Sequence, residues 1–333
     1  MNRYGFILGG RLALIVGVLL VFAQPAPAAT VANGDFEMGT LEGWKVAIPA
    51  SKESGSWFAY SGLNAPVSTV GIGDERRPRI IPPPPQGSFA AITDRSGSVA
   101  GTRILYQDIA LEPGMTHILS LTTYYNSAAP ITVPTPDTLS SKEFDNQQYR
   151  IDVMKPSAPI DSVNPADILS TVFRTDNGDI SFSPPLTLTA ALTPFGGQVV
   201  RLRVAEVDSR DYLNAGVDAI SIHSTPIPPS SFSFGRFKLN RKRGTATLKV
   251  DVPWAGKVIA VDSGRKVKRI VTVTASAAAA GTATLWLRPT YLVRERLKSR
   301  RRLPFKLSVT FIPTGGAAAT QIFSGELKLR PRH

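Results

Sequence analysis

The stretch Thr245-Ala-Thr-Leu-Lys-Val-Asp-Val252 alternates without a break: Ala246, Leu248, Val250 and Val252 fall on one side, Thr245, Thr247, Lys249 and Asp251 on the other. Two is the side-chain period of a strand, and apolar residues alternating with polar ones mark a strand half buried against a core. Phe305, Leu307, Val309 and Phe311 repeat the pattern against Lys306, Ser308 and Thr310. Ala283, Leu285 and Leu287 do so again, with Trp286 on the opposite side. Val258–Val261, Ile270–Ala275 and Ile322–Leu329 add short apolar runs. About seven strands in about 100 residues is the content of a two-sheet sandwich. Ala277–Gly281 reads as a small-residue hairpin connection between two of them.

Upstream, the runs Ser88–Thr93, Arg103–Ile109, His117–Tyr125, Tyr149–Met154, Val199–Val207 and Gly216–His223 are rich in β-branched and aromatic residues and bounded by turn formers. No amphipathic helical pattern is sustained over three turns. The expected class is all-β, with a jelly-roll β-sandwich in the N-terminal part and an immunoglobulin-like β-sandwich in the C-terminal part. Pro78–Pro85 reads as an extended surface loop, and Asn126–Phe144 as a mobile insertion.

The chain has 333 residues, 43% of them hydrophobic and 19% charged, with 27 Gly and 27 Pro. That length suits two folded domains joined by many turns. There is no Cys and there are three His, which excludes disulfide scaffolds, thiolate sites and thiol nucleophiles and argues against a multi-His centre. Residues 1–28 read as a secretory signal: Arg3 and Arg11, then an apolar run Leu12–Ala23, then Ala26-Pro-Ala28. The apolar run is shorter than the ~20 residues that span a bilayer, so a secreted or cell-surface product with no transmembrane segment is expected.

Charge divides the chain. Residues 225–333 carry 22 Lys and Arg against 4 acidic residues (22 − 4 = +18), and residues 1–224 carry the other 16 basic and 21 acidic ones (16 − 21 = −5). The change falls in the Pro/Ser run at 224–231, read as a linker between a domain at 29–223 and a basic one at 232–333.

The opening Val31-Ala-Asn-Gly-Asp-Phe-Glu-Met-Gly39 with Leu41-Glu-Gly-Trp44, followed in order by Gly87–Asp94, Leu105–Ile109, Val200–Asp208 and Gly216–Ile222, resembles the galactose-binding-like jelly rolls of family 4/9 carbohydrate-binding modules. The resemblance covers about Val31–His223. It implies a structural calcium held by Glu37 and Asp218, and a carbohydrate ligand. If one sheet face is a cleft, Tyr124, Tyr125 and Tyr149 are rings for stacking on sugars, with Arg150 and Gln148 to bond hydroxyls; core positions are the alternative for each ring. Physically, Phe36 and Trp44 beside turn glycines read as plugs at one end of the core, and Asn33-Gly34 as a tight turn.

The C-terminal part, from Phe234 through Leu307–Gly316, resembles basic sandwich modules at the ends of exported actinobacterial proteins, which implies no catalysis. Trp254 departs from that pattern. Two clusters, Lys238–Arg243 and Arg294–Arg302, carry the densest charge, with Arg241, Lys242, Arg243, Arg300, Arg301 and Arg302 as contacts for an anionic envelope polymer; two solvated loops are the alternative. No motif for sequence-specific nucleic acid recognition occurs. His117 and His223 lie in no nucleophile motif, and the carboxylates Glu206, Asp208 and Asp211, like Asp74 and Glu75, read as turns or ion ligands. The leading expectation is an exported, non-catalytic carbohydrate-binding or envelope-associated protein. The alternatives are a structural or adhesive surface protein and a glycan hydrolase.

Overall fold

The computed structural model describes residues 29–49, 55–64, 66, 81–94, 100–142, 145–264 and 267–330. The signal segment, Asp74, Glu75, His333 and the start of the Pro78–Pro85 loop lie outside the described residues. The described residues are all-β apart from short helical pieces, as the alternation requires.

Among the described residues the first unit has ten strands: β1 Lys45–Ala47, β2 Trp57–Tyr60, β3 Ala90–Thr93, β4 Gly101–Ala110, β5 Met115–Ser127, β6 Gln147–Met154, β7 Ile168–Arg174, β8 Phe182–Ala191, β9 Val199–Asp208 and β10 Leu213–Pro226. They form two five-stranded sheets, β1-β4-β9-β6-β7 and β2-β3-β10-β5-β8, with antiparallel pairing throughout. Inward residues such as Leu105, Leu121, Ile151, Val204 and Val217 fill the space between them. Phe36 and Trp44 plug one end, their ring centroids 5.6 Å apart. The turn beside them takes its left-handed backbone at Asn33 (φ 46) and Phe36 (φ 55) rather than at Gly34. Gly34 is needed for a different reason: a Cβ there would stand 2.1 Å from the Ile220 carbonyl oxygen.

Parts of the outer faces of both sheets are covered too. Leu139, with Ile160 and Val163, packs on Ile104, Ala205 and Val207 of β4 and β9. Arg203, buried on β9, donates to the carbonyls of Ile160 and Ser162 at 2.7 Å each, which pins the covering loop. Of the stretch expected to be a mobile insertion, Leu139 packs on the apolar outer face of β4 and β9, beside Ile160 and Val163 of a second loop. On the other sheet, Ile81 covers Tyr60, Ala90, Ile92 and Tyr124. Tyr60 donates its hydroxyl to the Pro82 carbonyl at 2.9 Å.

The expected linker begins later than its composition suggests. β10 continues through Ser224, Thr225 and Pro226, paired with His117, Thr116 and Met115, and Ile227 donates its N–H to the Gly114 carbonyl. Phe232 already belongs to the second core.

The second unit comprises β11 Ser233–Asn240, β12 Thr245–Val252, β13 Gly256–Asp262, β14 Val273–Ala277, β15 Gly281–Leu287, a helix α1 Tyr291–Arg300, β16 Arg302–Pro313 and β17 Ala319–Lys328. A three-stranded sheet β11-β12-β15 faces a four-stranded sheet β14-β13-β16-β17. Leu248, Val250, Leu285, Leu287, Leu307, Val309 and Phe311 meet between them, so the predicted inward faces are the inward faces. Ala277–Gly281 does not close a hairpin. It carries the chain from one sheet to the other, since β14 pairs with β13 and β15 with β12.

Arg294–Arg302 is likewise not a loop. Most of it is α1, which seats Val293 and Leu297, one helical turn apart, on the core. The helix ends at Arg301, left-handed at φ 58, whose N–H returns to the Leu297 carbonyl.

Candidate functional site

The residues proposed for a sugar cleft are brought into one sandwich but not onto an open face. Tyr125 and Tyr149 lie inside the core with Phe173, their centroids 5.5–6.3 Å apart. Tyr149 is hydrogen-bonded to the Thr123 hydroxyl at 2.8 Å and to the Gly216 carbonyl. Tyr124 points the other way and is bonded to the Tyr60 hydroxyl under Ile81. Burial pushes the hydroxyl pKa values of Tyr124 and Tyr149 up. Gln148 donates to the Thr138 carbonyl and to Asn146 Oδ1, and Arg150 is clamped between Asp137 (2.8 Å) and Asp152 (2.7 Å). All five are buried, so none presents a ring face or a free donor to a polymer. Tyr125 and Tyr149 are buried because they point between the sheets, and Tyr124, Gln148 and Arg150 because covering loops take up the outward groups a bare sheet would have offered to a sugar.

Glu37 and Asp218 do converge, on the backbone of residues 86–89. Glu37 Oε1 accepts the N–H groups of Ser88 (2.8 Å) and Phe89 (2.9 Å). Asp218 accepts those of Gln86 (2.9 Å) and Ala219 (2.7 Å). Calcium collects 6–8 oxygen ligands. Here N–H donors face the oxygens, and among the described residues no group of three or more acidic or His side chains is placed to hold a metal. The residues present do not fit a calcium cage; they form a clasp that ties the opening segment at Glu37 and the last strand, β10, to the 86–89 segment. Burial, reinforced by the charges of Glu37 and Asp35 against the opposing N–H bonds, pushes the Asp218 carboxyl up to about 6.

The other carboxylate cluster is also internal. Arg103 lies between Asp94 (3.1 Å), Glu206 (2.9 Å) and Asp208 (2.9 Å), all buried. Burial raises Glu206 and Asp208, the latter to about 7. His117 is fully enclosed, with Nδ1 bonded to Ser224 Oγ and Nε2 to the Glu112 carbonyl, each at 2.8 Å. Both groups tie strands together, and a ring with both nitrogens engaged is not poised as a general base.

The exposed chemistry is on the second sandwich. The β11–β12 turn, closed by the Gly244 N–H on the Asn240 carbonyl, presents Arg241, Lys242 and Arg243. Arg330 donates its N–H to the Arg241 carbonyl, and Leu329 donates to that of Arg301, so the turn, the end of α1 and the C-terminal stretch are stitched together. The groove they enclose, about 1140 Å³, is lined by seven basic side chains, Arg241, Lys242, Arg243, Arg294, Lys298, Arg301 and Arg330, and one acidic one, Glu295. Lys298 pairs with Glu295 at 2.6 Å. Like charges gathered in a concave surface raise a positive potential that a polyanion relieves.

Helical period sorts the second cluster. Arg294 and Lys298 face this groove, whereas Arg296 and Arg300, with Arg302 and Arg269, line a separate hollow on the other side of α1. The six residues named from sequence thus divide, Arg241, Lys242, Arg243 and Arg301 in the groove and Arg300 and Arg302 outside it. Arg330 carried no sequence signal, because only the return of the C-terminal stretch beside the turn places it there.

No family model matches the chain, and no curated protein does. Among solved structures it is similar to a Stig cyclase from Fischerella sp. TAU (13% identity, 60% of this chain and 98% of that one, TM-score 0.32). It is also similar to a cleaved adhesin domain of Lys-gingipain from Porphyromonas gingivalis (12% identity, 58% and 97%, TM-score 0.33). The tandem CBM22 domain from Paenibacillus barcinonensis matches over 93% of each chain at 9% identity and TM-score 0.32. These neighbours differ in chemistry and are distant, so function is read from the chain's own groove.

Proposed function

We propose that this chain is an exported, non-catalytic binding protein whose C-terminal sandwich holds an anionic polymer at the cell envelope. The supporting observation is the convergence of seven basic side chains, from three segments far apart in sequence, on one groove with a single acidic residue. Isolated surface charges contribute little, but several cations along one concavity bind a polyanion with displacement of its counterions. The N-terminal sandwich, in which Tyr124, Tyr125, Tyr149, Gln148 and Arg150 are all buried, serves in this reading as a spacer. The test is retention of the full chain on an anionic polymer as salt is raised. In a rising salt gradient wild type should elute at higher salt than the Arg241→Ser, Lys242→Ser, Arg243→Ser triple variant, and equal elution would refute the assignment.

A further inference from the structure

Trp286 stands on β15 with 71% of its surface exposed, while its neighbours Leu285 and Leu287 are fully buried in the core. An indole left in water on a regular strand is available for contact with an apolar face. It has a defined setting. Lys238, Thr247 and Trp286 form one row across the three strands of the sheet, since Lys238 pairs with Thr247 and Thr247 with Trp286. Lys249 and Thr284 form the next row. Asp251, the acidic residue of this face on β12, accepts a hydrogen bond from the Thr282 hydroxyl.

This face runs into the basic groove. Thr245 lines the groove and also belongs to the outward side of β12, one pleat repeat before Thr247, a step of about 7 Å. Pro289, three residues after Trp286, lines the groove as well. A linear ligand lying in the groove is therefore led onto a sheet face that offers one flat ring, hydroxyls from Thr247 and Thr284, and the ammonium groups of Lys238 and Lys249.

We infer that the outer face of β11-β12-β15 is a sugar-stacking platform continuous with the groove, and that the polymer bound is an anionic polysaccharide. This deepens the polyanion reading and rests on it. Acidic sugars have the matching chemistry: a C–H face to lie on the indole, hydroxyls for the threonines, and carboxylates for the lysines and the groove arginines. A polyphosphate has the charge but no apolar face, so it would use the groove and ignore Trp286.

The experiment measures affinities of the full chain for polygalacturonate, polyphosphate and single-stranded oligothymidylate. The variants are Trp286→Ala, Trp286→Tyr and the 241–243 triple variant. Trp286→Ala should bind polygalacturonate about tenfold more weakly, with Trp286→Tyr partly restored and polyphosphate unaffected. The triple variant should lose affinity for both. Polygalacturonate should also shield tryptophan emission from iodide in wild type and less so in Trp286→Ala, since Trp44 and Trp57 are buried and Trp254, 39% exposed, is the exposed indole that remains in the variant. Unchanged polygalacturonate affinity in Trp286→Ala, at an unchanged melting temperature, overturns the platform and leaves the groove standing. Failure of wild type to bind any of the three overturns the groove and the platform together. A loss in Trp286→Ala larger for oligothymidylate than for polygalacturonate overturns the polysaccharide assignment in favour of base stacking.

Discussion

Replacing Arg241, Lys242 and Arg243 together by Ser should change the salt dependence of polyanion binding by a calculable amount. The groove holds seven basic side chains, and among the described residues Lys298 is the one of them paired with a carboxylate, Glu295 at 2.6 Å. Six cations remain to displace counterions. For a flexible single-stranded polyanion, each neutralised charge contributes about −0.7 to the slope of log K against log salt, so wild type should show about −4 and the triple variant about −2. Between 50 and 200 mM salt this is a loss of about 300-fold for wild type against about 20-fold for the variant. Fluorescence anisotropy of labelled polyphosphate at four salt concentrations reads both slopes. The side chains are exposed on a turn, so the variant should keep its melting temperature. Equal slopes would show that the three residues are merely solvated, and a wild-type slope near zero would remove the electrostatic argument altogether.

The interior makes its own predictions. Arg103→Met leaves Asp94, Glu206 and Asp208 crowded in the core without their central cation. It should cost about 3–5 kcal/mol at neutral pH, measured by urea unfolding, and recover in part as acid protonates the carboxylates. The folded-state values of Asp218 (about 6) and Asp208 (about 7) lie above the ordinary aspartate range, so the folded protein binds these protons more tightly than the unfolded chain. Their contribution to stability is present below about pH 4 and is lost as pH rises to about 7. The melting temperature of Asp218→Asn should vary less than that of wild type between about pH 4 and pH 6; parallel profiles would refute the assignment. Because N–H donors already occupy Glu37 Oε1 and both Asp218 oxygens, millimolar calcium added after chelation should leave the melting temperature unchanged, and a rise of several degrees would restore a metal to that corner.

What could be read from the residues alone was local. The alternation in Thr245–Val252 and in Phe305–Phe311 depends on nothing beyond the two-residue pleat, and these segments are strands with the expected faces inward. Short or weakly patterned strands such as Lys45–Ala47 and Phe182–Ala191 carried no such signal, and α1 was missed because only Val293 and Leu297 mark its inner side among charged residues. Residue type alone also did not tell a buried Tyr124 or Arg150 from an exposed one, since that depends on whether a distant loop folds over the sheet. The total charge of the C-terminal part was evident from composition, but its focus was not. Arg241, Arg294, Lys298 and Arg330 become one site only because β-pairing returns the chain's end to the β11–β12 turn and the 3.6-residue helical period divides α1 between two hollows. Periodicity is a property of neighbouring residues and is written in the sequence; convergence is a property of closure, and the tertiary structure alone supplies it.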